Sequence, residues 1–138
     1  MQPLVPLNAS PQDAYKRQDV LTATPADLVV MLYDALKKNI MQARRGLERK
    51  NIQSTHDHLM KAQEIVTELV NSLDMNYDIS TELLSLYEFM LTSLEDANIQ
   101  KKPELLTPVI DIVDSLREAW QEIAQSNKGT LHINEGLA

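Results

Sequence analysis

Cysteine is missing from this chain of 138 residues, and glycine is scarce, with only three residues. Without cysteine the chain forms no disulfide, no zinc–thiolate site and no thiol nucleophile. The three glycines match neither a Walker nor a dinucleotide-binding pattern, which excludes a glycine-rich phosphate-binding loop. No apolar run approaches the roughly 20 residues that a membrane-spanning helix needs. We therefore expect no membrane insertion and a cytoplasmic location.

Basic residues are also fewer than acidic residues. The chain has 13 Lys and Arg against 20 Asp and Glu, which gives a formal net charge of -7. Binding to nucleic acid phosphates requires a concentrated basic surface, so nucleic acid is not an expected partner. The short basic cluster of Arg44, Arg45, Arg49 and Lys50 is predicted to be a solvated helix end, where the helix dipole favours cations.

The segment TATPADLVVMLYDA at 22–35 predicts the start of a long helix. Thr24 can accept a hydrogen bond from the backbone N–H of Asp27, and Pro25 suits the first helical position because no N–H is needed there. Asp27 complements the positive end of the helix dipole. The first helix is therefore predicted to begin near Pro25.

This helix contains more apolar residues than one core-facing stripe requires. At about 100° per residue, Leu28, Leu32 and Leu36 fall on one broad face, which Tyr33 widens. Val30, Met31 and Met41 then fall outside that face, on sides that carry charged residues. Two interpretations are open: the N-terminal segment packs over these three residues, or they form a surface that binds a partner.

Three further helices follow from spacing and capping signals. Residues Ile52, Thr55, Leu59, Ala62, Val66, Leu69 and Leu73 alternate gaps of three and four, which is typical of helix-on-helix packing. Asp78 can cap a third helix with Leu83, Leu86, Tyr87, Met90, Leu94 and Ala97 facing inward. Pro103 opens the fourth helical segment, in which we expect a separate first turn and a main helix capped by Thr107. Its predicted buried stripe comprises Val109, Val113, Leu116, Trp120 and Ile123.

No strand signal competes with these helices, so the predicted fold is all-α: an antiparallel four-helix bundle. One domain is expected over 1–126, and the glycine-containing segment 127–138 is expected to be a mobile tail. A short helix over 10–18 should form an N-terminal cap. Because so short a helix is marginal in water, it is expected to dock through Tyr15, Val20 and Leu21.

The sequence contains no arrangement of residues that is typical of a catalytic site. A di-iron bundle needs a glutamate three residues before a histidine, and neither His56 nor His58 has one. Most carboxylates fall on polar helical faces. We therefore expect no enzyme activity, no metal and no cofactor. A bundle with surplus apolar surface on its first and third helices instead suits the binding of an amphipathic or extended segment in a groove.

Several segments together resemble the FliS family of flagellar export chaperones. The resemblance runs in order through most of the chain, and it is the combination of segments that is specific. The segments are AY at 14–15, VLTATPADLVVMLYDA at 20–35, ELVNSLDM at 68–75, LLSLYEFM at 83–90, LEDAN at 94–98 and LREAW at 116–120.

The resemblance implies a cytoplasmic helical bundle that binds the disordered C-terminal region of newly made flagellin. Such a chaperone would prevent premature polymerisation and deliver flagellin to the type III flagellar export gate. The alternative is a homodimeric helical-bundle adaptor that binds another amphipathic helix, with no role in flagellin export. The N-terminal extension 1–9 is a candidate for a lid over the binding groove. The residues expected to bind flagellin are Tyr15, Val20, Leu21, Leu28, Val30, Met31, Tyr33, Met41, Leu84 and Leu91.

Overall fold

A computed structural model describes residues 25–137 of the chain, with side chains described over 25–126. The expected cap helix at 10–18 and its anchors Tyr15, Val20 and Leu21 lie outside the described residues. This part of the chain contains four α-helices and no strand, which confirms the all-α prediction. The helices are α1 (Pro25–Glu48), α2 (Ile52–Asn71), α3 (Asp78–Gln100) and α4 (Thr107–Leu137), and a 3-10 turn (Pro103–Leu106) precedes α4.

The helix starts follow the local sequence closely. α2 is capped by Asn51, whose side chain accepts a hydrogen bond from the backbone N–H of Ser54. Pro103 opens a separate turn, as the sequence predicted, whereas Thr107 is the first residue of the main helix and not its cap. α3 differs slightly, because its N-cap residue is Tyr77 and Asp78 is the first helical residue. The acidic side chain then lies in the first turn, where it still complements the helix dipole.

The short connections make neighbouring helices antiparallel, and they leave one side of the bundle less closed than the others. α1 packs closely against both α2 and α4, and α2 packs against α3. α3 and α4 approach each other much less, and their closest link runs through the 3-10 turn. The spatial order is therefore α3, α2, α1, α4, with a gap between the first and last members.

The core is largely aliphatic, and it is most completely covered where α1 ends and α3 meets the 3-10 turn. Methionine contributes there, since Met90 is fully buried. The fully covered side chains are Tyr33, Leu36, Ile40, Ala43, Leu59, Ala62, Val66, Met90, Leu94, Ala97, Leu106, Val109 and Val113. These residues come from all four helices and the 3-10 turn, which confirms a helical bundle with one shared core.

The buried face of α1 is rotated relative to the sequence prediction. Its buried positions include Ala26, Val30 and Tyr33, whereas Leu28 and Leu32 are only half-buried. Val30 was expected on the outward side, and this expectation is wrong because the side chain is 7% exposed. The prediction assigned the core to the richest apolar arc, but small residues such as Ala26 lie on the buried face because they allow close helix packing.

Gly46 is a point of close approach between α1 and α2. A Cβ built on this residue would lie 2.5 Å from Thr55 Oγ1 and 3.0 Å from the Thr55 backbone nitrogen. Thr55 is itself buried, and its hydroxyl donates to the Asn51 carbonyl oxygen at 2.8 Å. Only glycine fits here without movement of α2. The sequence analysis did not identify this close approach.

Three other residues that were predicted to face the core are exposed: Ile52, Leu86 and Ile123. Ile52 was placed on the buried stripe of α2 but is 69% exposed, because it is the first helical residue and lies beyond the end of the core. Ile123 was placed on the stripe of α4 and is also exposed. α4 continues to Leu137, although the sequence predicted a mobile tail over 127–138. This segment contains no proline that would end a helix, and the domain boundary at residue 126 remains a prediction.

Candidate functional site

An apolar cavity of about 510 Å³ opens at the end of the bundle where α1 and α3 begin and α2 ends. We call this region the open end. α1 contributes the first turns of its half-buried face, and α4 contributes the indole ring of Trp120. The lining residues are Pro25, Leu28, Val29, Leu32, Glu68, Leu69, Ser72, Leu73, Asp74, Tyr77, Ile79, Ser80, Leu83, Tyr87 and Trp120. All four helices thus converge on one concave, water-accessible surface.

Hydrogen bonds hold the loop between α2 and α3 at the rim of this cavity. The buried Ser80 hydroxyl donates to the Asp74 carbonyl oxygen at 2.6 Å, and the Asn76 backbone N–H donates to the Asp74 carboxylate at 3.0 Å. This arrangement leaves Tyr77 and Ile79 on the rim with 65% and 57% of their surface exposed. Large apolar side chains held outward beside a cavity are the kind of surface that a partner covers.

Two tyrosines form a hydrogen-bonded pair at the bottom of the cavity, where Tyr87 lines the floor and Tyr33 lies beneath it. The hydroxyl groups of Tyr33 on α1 and Tyr87 on α3 are 2.5 Å apart, and either can donate. Burial raises the pKa of both hydroxyls, and the Tyr33–Tyr87 hydrogen bond raises the pKa of Tyr33 further. A hydrogen bond with Trp120 acts in the opposite direction on Tyr33. The floor is thus a neutral hydroxyl pair that joins α1 to α3 across the core.

The apolar surface continues from the cavity into the gap between α3 and α4. A shallower concavity of about 250 Å³ lies there, lined by Leu86, Asp111, Ile112, Ser115 and Leu116. Leu86 is exposed, and Leu116 and Trp120 are only half-buried. Because Leu116 and Trp120 are four residues apart on α4, they lie on one helical face and connect the two concavities. Together these concavities form a groove along the open side of the bundle.

The charges around this groove are unevenly distributed. Glu68 and Asp74 are the charged groups among the described residues that line the cavity, and both are acidic. On the side facing α1, an ion pair between Lys37 and Asp114 at 2.7 Å ties α1 to α4. Arg117 and Asp34 form a second ion pair there, and the Asp34 carboxylate raises the pKa of Arg117. α4 is thus held against α1 and not against α3.

Of the ten residues expected from the sequence to bind a partner, the seven that the structure describes do not line one common cavity. Leu28 lines the cavity, whereas Tyr33 lies beneath its floor and is fully buried. Met31 and Leu84 are half-buried. Met41 and Leu91 are half-buried and pack against the core. Val30 is buried, and the remaining three residues lie outside the described part of the chain.

Sequence reasoning missed most of the residues that line the groove. Leu116 and Trp120 were assigned to the buried stripe of α4, because a groove residue and a core residue share the same periodicity. Leu83 was correctly expected to face inward, since it is 8% exposed, but its place in the cavity wall was not predicted. Ile79 and Tyr77 had no predicted role in binding. The signal that could have identified these two is their position, since they are large apolar residues on either side of Asp78, beside a loop.

The described residues contain no group of three or more acidic or histidine side chains that could hold a metal ion. None of the helices within 25–137 is both long enough and apolar enough to cross a membrane. The polar groups near the groove are structural: no buried side-chain oxygen or nitrogen in the described region lacks a hydrogen-bond partner.

Fold and groove together define a helical-bundle protein with an open apolar surface, and sequence comparisons identify its family. The family model described as flagellar protein FliS matches residues 8–127. The flagellar secretion chaperone FliS of Bacillus subtilis strain 168 is 33% identical over 129 residues, which cover 94% of this chain and 97% of the relative. The chain therefore belongs to the FliS family.

Two further relatives have the same description. The flagellar secretion chaperone FliS of Vibrio cholerae is 31% identical over 116 residues, covering 80% of this chain and 85% of the relative. The flagellar secretion chaperone FliS of Salmonella typhimurium is 30% identical over 108 residues, which cover 76% of this chain and 80% of the relative. The resemblance stated from the sequence is confirmed. The family is one of chaperones and not of enzymes, which also confirms the expectation that the chain is not an enzyme.

Proposed function

We propose that this protein is a cytoplasmic export chaperone for flagellin. It binds the disordered C-terminal region of newly made flagellin, prevents its premature polymerisation, and delivers it to the type III flagellar export apparatus. Family membership supports a role in flagellar secretion. The observation that carries the specific proposal is the groove, because its apolar cavity and the gap between α3 and α4 are open to solvent.

The shape and chemistry of the groove suit a helical segment. Leu116 and Trp120 on α4 and Ile79 and Leu83 on α3 provide two parallel rows of apolar side chains with α1 beneath them. A partner helix with apolar residues at spacings of three and four can insert between such rows. A flagellin segment that is disordered alone would fold as it binds, so the protein covers the apolar face that flagellin later buries in the filament.

The proposal is tested by titrating a peptide from the flagellin C-terminal region into the full-length protein and measuring heat and secondary structure. We expect binding, a gain of helix, and a negative heat-capacity change because apolar surface is buried. Ile79→Asp places a charge at the rim of the cavity and should weaken binding by about tenfold or more. The matched control is Met60→Asp, an exposed apolar residue on α2 outside the groove, which should change affinity by less than about twofold.

Equal affinities for the two variants would overturn the placement of the site in the groove. The rival function, a homodimeric adaptor, makes a different prediction in size-exclusion chromatography with light scattering. A dimer that forms without peptide, dissociates in Ile79→Asp and does not bind flagellin would support that rival. A 1:1 complex with flagellin peptide and a monomeric free protein would support the chaperone.

A further inference from the structure

The end of the bundle opposite the cavity carries a second surface of different character. We call it the basic end. Five exposed basic residues lie where α1 and α3 terminate: Arg45, Arg49, Lys50, Lys101 and Lys102. The nearby carboxylates in sequence are Glu48 and Glu104, and over residues 25–126 neither forms an ion pair with these side chains. A protein with a formal net charge of -7 therefore presents locally positive charge at this end.

The turns fix two of these lysines in defined positions. Lys50 and Lys101 both adopt the left-handed conformation with φ of 55°, which is uncommon for residues other than glycine. The Lys101 backbone N–H donates to the Ala97 carbonyl oxygen at 2.9 Å, and the Lys101 ammonium donates to the Asn98 side chain at 2.7 Å. The Asn51 backbone N–H donates to the Gly46 carbonyl oxygen at 2.8 Å. These hydrogen bonds make both turns compact.

A cavity of about 360 Å³ opens between the two lysines. Its lining residues are Gly46, Leu47, Lys50, Asn51, Ile52, Thr55 and Lys101. Ile52 is 69% exposed at its edge. The helix dipole accounts for cations at the ends of α1 and α3, but it accounts for neither the cavity nor the exposed isoleucine. A largely apolar depression between two lysines whose backbone positions are fixed by compact turns has the features of a recognition site.

We propose that the basic end binds an acidic peptide segment of a partner protein. A large aliphatic or aromatic side chain of that segment occupies the cavity beside Ile52, and carboxylates on either side of it contact Lys50 and Lys101. The cavity is concave and has few exposed apolar neighbours, which favours one anchoring side chain over the flat insertion that a lipid surface requires. Because no residue lines both the cavity at the basic end and the groove, both can be occupied at once.

The test uses a displayed library of random 12-residue peptides, selected on the full-length protein. The charge-reversed variant Lys50→Glu/Lys101→Glu serves for counter-selection. We expect enriched peptides to contain Asp or Glu on both sides of a Leu, Ile, Phe or Met. Individual peptides should lose at least about tenfold in affinity for the charge-reversed variant and change by less than about twofold for Lys38→Glu/Lys61→Glu, which reverses two exposed lysines elsewhere.

NMR titration with one enriched peptide then locates the site. Shifts confined to Gly46, residues 50–55 and Lys101 support the proposal, and shifts in the groove overturn it. If charge reversal prevents folding, Ile52→Asp replaces it, because this exposed residue contributes little to the core and its substitution should still weaken binding about tenfold. Enriched peptides without acidic residues would also overturn the proposal. If the protein selects no peptides but binds vesicles that contain phosphatidylglycerol, this result also overturns the proposal.

Discussion

The two ends of the bundle differ in how completely the core between the helices is packed. At the end where α1 and α3 terminate, which we call the closed end, the core residues Ala43, Leu94 and Leu106 have no exposed surface, although Ile52 at its edge is exposed. At the open end, Leu28 is half-buried and Ile79 is 57% exposed, and the described residues line a cavity between the helices. Apolar side chains that fill the core at one end thus line an accessible cavity at the other. The most completely packed part of the core lies away from that cavity.

The largest expected effect tests this separation directly. Leu94→Ala at the closed end should lower the free energy of unfolding by about 2 to 5 kcal/mol, because a fully buried side chain is replaced by a cavity. Leu28→Ala at the open end should cost about 1 kcal/mol or less, since that side chain is partly solvated in the folded state. Urea denaturation measures both. Comparable losses would show that the open end is part of the stabilising core.

The second prediction concerns how the closed end is packed. Gly46→Ala should destabilise the protein by about 1 to 2 kcal/mol, because the contact between the new Cβ and Thr55 outweighs the helix propensity gained. Adding Thr55→Ala removes the nearest atom, and the double variant should therefore lose less stability than the two single variants summed. Strict additivity in a denaturation cycle would mean that α1 and α2 are not in close contact there.

The third prediction concerns the hydroxyl pair that separates the core from the cavity. Tyr33→Phe should cost about 1 to 2 kcal/mol, because it leaves the Tyr87 hydroxyl without its buried partner. Tyr33→Phe/Tyr87→Phe removes both hydroxyls and should cost less than the sum of the single substitutions. Equilibrium unfolding at pH 7 checks the cycle.

The same pair should make stability sensitive to alkaline pH. In the folded state the pKa of each tyrosine is raised above its unfolded value near 10, so the neutral form is the one that folding favours. Its contribution is complete below pH 10 and decreases above it, by about 1.4 kcal/mol per pH unit for each group. Between pH 10 and 11, the free energy of unfolding of the double phenylalanine variant should decrease less steeply with pH than that of the unsubstituted protein. Parallel pH profiles of the two proteins would contradict this assignment.

Much of the fold could be predicted from the sequence because the signals were local. The Asn51 cap and the separate turn at Pro103 depend on a few neighbouring residues, and the regular spacing of Leu59, Ala62 and Val66 depends on one helix alone. On α2, the alternating spacing of three and four predicted the buried residues correctly because this helix packs against both α1 and α3. These features do not require knowledge of the tertiary arrangement.

The groove could not be predicted in the same way, since its residues obey the same pattern as the core. Trp120 and Leu116 continue the stripe that Val113 begins, and only the separation of α3 from α4 leaves them half-covered. On α1, Leu28 and Leu32 lie at the open end and are only half-buried, but they are apolar. The predicted core face was therefore centred on them and placed Val30 on the outward side. A single sequence reports that a side chain is apolar, but not which helix, if any, covers it.

The wide spacing of α3 and α4 also has a mechanical consequence. These two helices are connected firmly through the turn at Pro103–Leu106, while ion pairs hold α4 to α1. Widening the groove at the far end therefore bends the structure about this turn and separates few packed atoms, whereas the same displacement at the closed end would break the core. We therefore expect α3 and α4 to separate at the open end at lower energetic cost than at the closed end. The proposed groove would then accept segments of different thickness.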